Sequence, residues 1–345
     1  MAVLSTSTRL AAARIPVIIV LTLLALSAQA QQEPGKRVSV GPLALQIHCS
    51  GREGPTVVVE TGLGDFAFDW ALVQQSVERF ARICTYDRAG YGSSDSGPTP
   101  RTFAQLNLEL HELLHAAGEK PPYILVGHSY GGAVIRNYPV RYPDDIAGMV
   151  LVESVAEHQP LILGGKPTLL KEFASGKAIP EPRLGTNMHT DSLAKTSADQ
   201  SQELPRVYAV LPQSLQELHR RFAGKPSLEA AENSQREWSS EYFAEWDRHP
   251  QRGLLKLKPL IVLTRAALGD DPNPNYSVEQ VDGLRLRAQT EQLSLSSNSL
   301  QIVLPFGHNM HLEAPDAIAS AIHSVVTAVR TRRPLVAIGV AESRR

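Results

Sequence analysis

Gly127-His128-Ser129-Tyr130-Gly131 follows directly on the apolar run Tyr123-Ile-Leu-Val126 and precedes a helix-compatible stretch beginning at Gly132. A G-x-S-x-G pattern between a short strand and a helix has the form of a nucleophile elbow, a sharp turn that holds a serine hydroxyl clear of a sheet. The backbone of such a turn is strained and closely approached. Glycines two before and two after the serine remove the β-carbons that would clash. The pattern also arises by chance in long chains, so its surroundings decide the reading.

Those surroundings alternate short apolar strands with helices. Leu43-Ala-Leu-Gln-Ile-His48 alternates apolar and polar residues, and Thr56-Val-Val-Val-Glu60 runs into Thr61-Gly62-Leu63-Gly64. Arg82-Ile-Cys-Thr-Tyr86 leads into the loop Asp87-Arg-Ala-Gly-Tyr-Gly-Ser-Ser-Asp95. Beyond the elbow, residues 146–152, 260–263 and 300–304 read as further strands. Trp70, Leu72, Val73, Val77 and Phe80 mark one buried helical side, Leu106, Leu108, Leu110, Leu113 and Leu114 another, and Ile318, Ala321, Ile322, Val325, Val326 and Val329 a last one. This alternation predicts an α/β fold with a mostly parallel sheet covered by helices on both faces.

Residues 155–258 break the rhythm. They are polar, punctuated by proline and without strand periodicity. Leu215, Leu218 and Phe222 share one helical face and Trp238, Tyr242, Phe243 and Trp246 another. We read them as a helical cap inserted between two sheet strands, with the aromatic stripe packing the cap in preference to lining a pocket. The core is then residues 31–154 and 259–330, and 331–345 form a C-terminal tail.

The formal charge of −1, with no basic stripe or acidic tract, points away from nucleic acid. In residues 1–30, Arg9 and Arg14 precede the apolar run from Val17 to Leu26, and Ala28-Gln29-Ala30 has the small-x-small form of a signal-peptidase site. The run is short of the roughly 20 residues a membrane span needs. The expectation is an exported protein, periplasmic or secreted, with its mature chain starting at Gln31 and no stable membrane anchor. In an exported chain the two cysteines, Cys49 and Cys84, read as one disulfide, with two buried thiols as the alternative.

A serine hydroxyl needs a base, and the base an orienting acid. His308 in Phe306-Gly307-His308 follows the strand ending at Leu304 and precedes the last helix. His311 and His128 are its rivals. Glu153, at the end of the strand after the elbow strand, is the favoured acid. Asp270 is the alternative and Asp271 a further one, in the loop Leu268-Gly-Asp-Asp-Pro272. All keep the order serine, acid, histidine. Backbone amides of Tyr130, at a helix N-terminus, and of Leu63, in a glycine turn at a strand end, are the candidate oxyanion donors. No spacing suggests a metal site, and the chemistry calls for no cofactor.

Together these motifs resemble the α/β-hydrolase superfamily over nearly all of residues 37–330, and in particular its capped, exported, esterase-like members. The likeness rests on Asp87 to Asp95, on Leu125-Val-Gly-His-Ser-Tyr-Gly-Gly132, and on Gly307-His308 followed by Leu312-Glu-Ala-Pro315. It implies an eight-stranded sheet of order 1-2-4-3-5-6-7-8 with the cap after strand 6. Strands 2 and 4 are then neighbours, so Cys49 and Cys84 would pair. It also implies that Asp87 and Arg88 support their loop rather than catalyse. Similar sequences carry aspartate where Glu153 stands. The function expected is a serine hydrolase acting on a small carboxylic ester. An aminopeptidase, a lactonase or a carbon–carbon bond hydrolase would use the same serine. A non-catalytic binding protein on this scaffold is the remaining alternative.

Overall fold

A computed structural model describes residues 33–163, 166–184, 204–266 and 277–336. Residues 1–30, Asp270 and Asp271 lie outside the described residues.

The chain forms β1 (Lys36–Val40), β2 (Leu43–Ser50), β3 (Val57–Glu60), α1 (Ala71–Val77), β4 (Ile83–Tyr86), α2 (Phe103–Ala117), β5 (Tyr123–His128), α3 (Tyr130–Arg141) and β6 (Ile146–Val152). A hairpin of β7 (Pro160–Leu163) and β8 (Lys166–Leu169) follows, then α4 (Gln213–Ala223) and α5 (Pro226–Arg248). The last part comprises β9 (Leu260–Arg265), α6 (Val278–Glu291), β10 (Ser299–Leu304), α7 (Met310–Glu313) and α8 (Pro315–Thr331).

The main sheet has eight strands in the order β1-β2-β4-β3-β5-β6-β9-β10. Its pairings are parallel except that β2 runs antiparallel to both β1 and β4. The expected topology is therefore the observed one.

Successive strand residues point to opposite faces, and the core strands are buried on both, which is why they read as unbroken apolar runs. Val58, Leu125, Met149, Leu151 and Val262 pack with Leu110, Leu113 and Leu114 of α2 and Ile135 and Tyr138 of α3. Val57, Val59, Ile124, Val126, Val150, Val152, Ile261 and Leu263 pack with Val73 and Val77 of α1 and Ile318, Ile322, Val325 and Val326 of α8. A slip of one residue in any strand would exchange its two faces, so the register is strongly specified.

Cys49 and Cys84 face each other across the β2–β4 pair and are joined as a disulfide. The signature loop 87–95 ties the same edge: the Ala44 amide donates to Asp95 Oδ2 at 2.8 Å and the Gln46 amide to Ser94 Oγ at 2.9 Å.

The segment between β6 and β9 is not purely helical, because the β7–β8 hairpin interrupts it. Its two strands are four residues each, Pro-Leu-Ile-Leu and Lys-Pro-Thr-Leu, too short and too irregular in polarity to show a strand period, which hid the hairpin. The aromatic stripe of α5 packs both within the segment and on the core. Lys177 lies over the Trp238 ring at 4.0 Å, and Leu170 and Ile179 pack against the Tyr242–Trp246 cluster. Tyr242 and Trp246 lie 4.4 and 5.6 Å, ring to ring, from Phe103 at the start of α2. On α4, Leu218 and Phe222 join a separate cluster with Phe66, Phe68 and Tyr91.

Candidate active site

β5 ends at His128 and α3 begins at Tyr130, leaving Ser129 alone in the turn at φ 51° and ψ −119°. Positive φ costs a non-glycine residue energy and persists only where its surroundings enforce it. Here close packing does so. A β-carbon on Gly131 would come within 2.3 Å of the carbonyl oxygens of Glu60 and Thr61, and one on Gly127 within 2.6 Å of the Gly132 Cα. The turn is also bonded to the next strand, with the Ser129 amide donating to the Val152 carbonyl at 3.0 Å.

His308 comes to this serine from the loop after β10, with Nε2 3.0 Å from Ser129 Oγ. The Gly307 amide donates to Glu313 Oε2 at 2.6 Å, which gives the glutamate of Leu312-Glu-Ala-Pro315 the task of fixing the histidine loop. Burial lowers the His308 pKa below its ordinary value of 6.5, with His128 and Arg265 adding to the effect and Glu153 opposing it. A neutral imidazole can accept the serine proton.

The rival histidines do other things. His128 Nε2 donates to the His308 carbonyl at 2.9 Å, and its Nδ1 lies 3.0 Å from Asp65 Oδ2. His311 is fully buried and stacked on Trp70 at 5.2 Å, with neither ring nitrogen hydrogen-bonded, and burial pushes its pKa down to about 3. Asp65, His128 and His311 thus converge, their ligating atoms within 4.8 Å of one another, a grouping no sequence spacing announces. The His128 nitrogens and Asp65 Oδ2 are already engaged in hydrogen bonds.

Glu153 follows β6 at φ 44°, so both it and Ser129 occupy left-handed backbone positions. Its Oε2 stands 3.8 Å from His308 Nδ1, an ion-pair distance longer than a hydrogen bond. Its Oε1 accepts from the Arg265 amide at 2.8 Å and from Arg285 Nη1 at 3.2 Å, while the Arg265 guanidinium lies 3.1 Å from Oε2. The carboxylate is therefore held between two arginines. Among the described residues no donor is aligned on buried Oε2, so it can accept a hydrogen bond from His308 Nδ1 while staying ion-paired with Arg265. Such contacts are often long before substrate binds.

Leu63 and Tyr130 occupy the two expected places, in the turn after β3 and at the first residue of α3. Among the described residues neither backbone N–H is engaged. Asp87 and Arg88 are supports: Asp87 Oδ1 accepts from the Ala67 amide at 2.8 Å, and Arg88 is buried against Glu60.

A model of the family described as "Alpha/beta hydrolase family" matches residues 57–321. The chain is 34% identical over 174 residues to the uncharacterized protein YqjL of Bacillus subtilis, covering 50% of this chain and only 59% of that one. It is 26% identical over 300 residues to an AB hydrolase superfamily protein of Gibberella zeae, covering 80% of this chain and 87% of the other. Among solved structures, the meta-cleavage product hydrolase CumD of Pseudomonas fluorescens superposes with a TM-score of 0.58 at 16% identity, over 85% of this chain and 98% of that one. At that identity the likeness is one of fold.

Proposed function

The chain belongs to the alpha/beta hydrolase family, and from that premise we propose that it is a serine hydrolase cleaving a small carboxylic ester. The observation that carries this reading is the 3.0 Å approach of His308 Nε2 to the hydroxyl of Ser129, a serine held in a strained turn. Ser129 Oγ attacks the ester carbonyl as His308 takes its proton. The resulting oxyanion is received by the Leu63 and Tyr130 amides, and Glu153 steadies the imidazolium. His308 returns the proton to the leaving alcohol, leaving an acyl-serine. Water, activated by the same histidine, then releases the carboxylic acid.

Residues 155–258 are the cap over this site in our reading, and the protein acts after export as residues 31–345. Covalent labelling of residues 31–345 by a fluorophosphonate tests the proposal. We expect labelling of the native protein that disappears in Ser129→Ala and after heat denaturation. Well-folded protein that takes no label would favour a binding role.

A further inference from the structure

Asp65 stands just beyond the candidate oxyanion turn and is 6% exposed. Its Oδ2 accepts from the Gly62 amide at 3.2 Å and faces His128 Nδ1 at 3.0 Å. Its Oδ1 receives the Tyr208 hydroxyl at 3.4 Å from the segment between β6 and β9. Burial alone would raise the Asp65 carboxyl. The hydrogen bond from His128, with His311 and His308 nearby, instead holds it well below the usual carboxylate range. On the other side of the imidazole, His128 Nε2 meets the His308 carbonyl oxygen, which has no proton to give, so Nε2 is the donor.

One carboxylate and one imidazole therefore span from the Gly62 peptide to the backbone of His308. His128 is also the residue next to Ser129. We propose that Asp65 and His128 are positioning residues that set the oxyanion turn and the catalytic histidine loop as one unit. The proposal deepens the hydrolase reading and rests on it for the word catalytic. The contacts themselves do not.

The two side chains can be tested separately. The amide nitrogen of glutamine stands near where His Nε2 stood, and that of asparagine near Nδ1. His128→Gln thus keeps the grip on the His308 carbonyl and loses Asp65, whereas His128→Asn does the reverse. Asp65→Asn preserves shape. A displacement of about 1 Å in reacting groups costs roughly 10²-fold in rate. Each variant should slow fluorophosphonate labelling by about 10- to 100-fold. Asp65→Asn combined with His128→Gln should be no slower than the slower single variant, because both cut the same link.

The second readout is the ring-nitrogen NMR titration of His308 in histidine-labelled protein. Among the described residues, the charged or titratable groups around His308 are Glu153 and Arg265 on the Nδ1 side, His128, His311 and Asp65, and Glu313, which holds its loop. The rings of His128 and His308 are centred 4.8 Å apart, and the electrostatic influence of this neighbour helps to lower the His308 pKa. His128→Gln should therefore raise the His308 midpoint, a change that a merely structural role would not produce. An unchanged midpoint, or single-variant rate losses that multiply, overturns the proposal. A wild-type protein that takes no label would sink the hydrolase reading alone, since the His308 titration still decides this one.

Discussion

Arg88 donates from Nη2 to the carbonyl oxygen of Gly62 at 2.6 Å, while its Nη1 holds Glu60 and the Thr61 carbonyl, each at 2.7 Å. The Gly62–Leu63 peptide is trans, so its C=O and the Leu63 N–H point in opposite directions. The grip on the carbonyl thereby turns the Leu63 N–H away from the buried guanidinium and leaves it available for the oxyanion role proposed for it. Arg88→Lys keeps the charge and loses the fork. We expect it to lower kcat on a test ester by about 10²-fold, the cost of one oxyanion donor, with KM little changed. A loss confined to KM would show that the Arg88 contacts do not shape the transition state.

The acid side of the pH profile follows from His308. A base must be neutral to accept a proton, and burial depresses this pKa. Activity is therefore present above the depressed value and falls as pH drops through it, with a midpoint below 6.5. Fluorophosphonate labelling rates from pH 4 to 8 measure it directly, and a midpoint above 6.5 would contradict the environment described for this ring.

Glu153 and the acid choice are separable by paired variants. Losing the orienting acid has cost about 10⁴ in a well-studied triad. Glu153→Gln should lose several hundredfold or more in kcat, and Asp270→Asn should be nearly silent. The reverse pattern would transfer the role to Asp270.

Arg285 supports that acid from α6 and is 2% exposed, with Nε bonded to Asp282 as well. Arg285→Met leaves Glu153 short of a buried partner. Breaking such a pair costs about 3–5 kcal/mol, readable as a shift in the urea midpoint. A stability within about 0.5 kcal/mol of wild type would show that Arg265 alone suffices.

The disulfide closes a loop with a sequence separation of 35 between Cys49 and Cys84. Its reduction should destabilise the protein by about 2–4 kcal/mol. Thermal unfolding with and without reductant, against Cys49→Ala with Cys84→Ala, measures this.

The frame of this protein was legible because its signals are local. The strand runs, the glycines around Ser129 and the Gly307-His308 pair each reflect a constraint met within a few residues. The supports were not legible, because they act across the chain. Arg285 reaches Glu153 from 132 residues away, and His128 reaches the His308 carbonyl from 180. One hint was available for Arg285: it shares the buried side of α6 with Val281 and Ala288, at core-facing spacing where a charge is out of place. Asp65 offered none, since an aspartate after a glycine turn reads as loop chemistry.

Among the described residues, three apolar clusters hold the segment after β6 to the body of the protein: Tyr242 and Trp246 against Phe103, Leu218 and Phe222 with Phe66 and Phe68, and Tyr208 and Leu211 with Leu312. A swing about any one of them would tear apart the others, exposing large apolar and aromatic surfaces to water. Ser129 nevertheless remains partly exposed with all three in place. Solvent therefore reaches the Ser129 side chain without any of these contacts being broken.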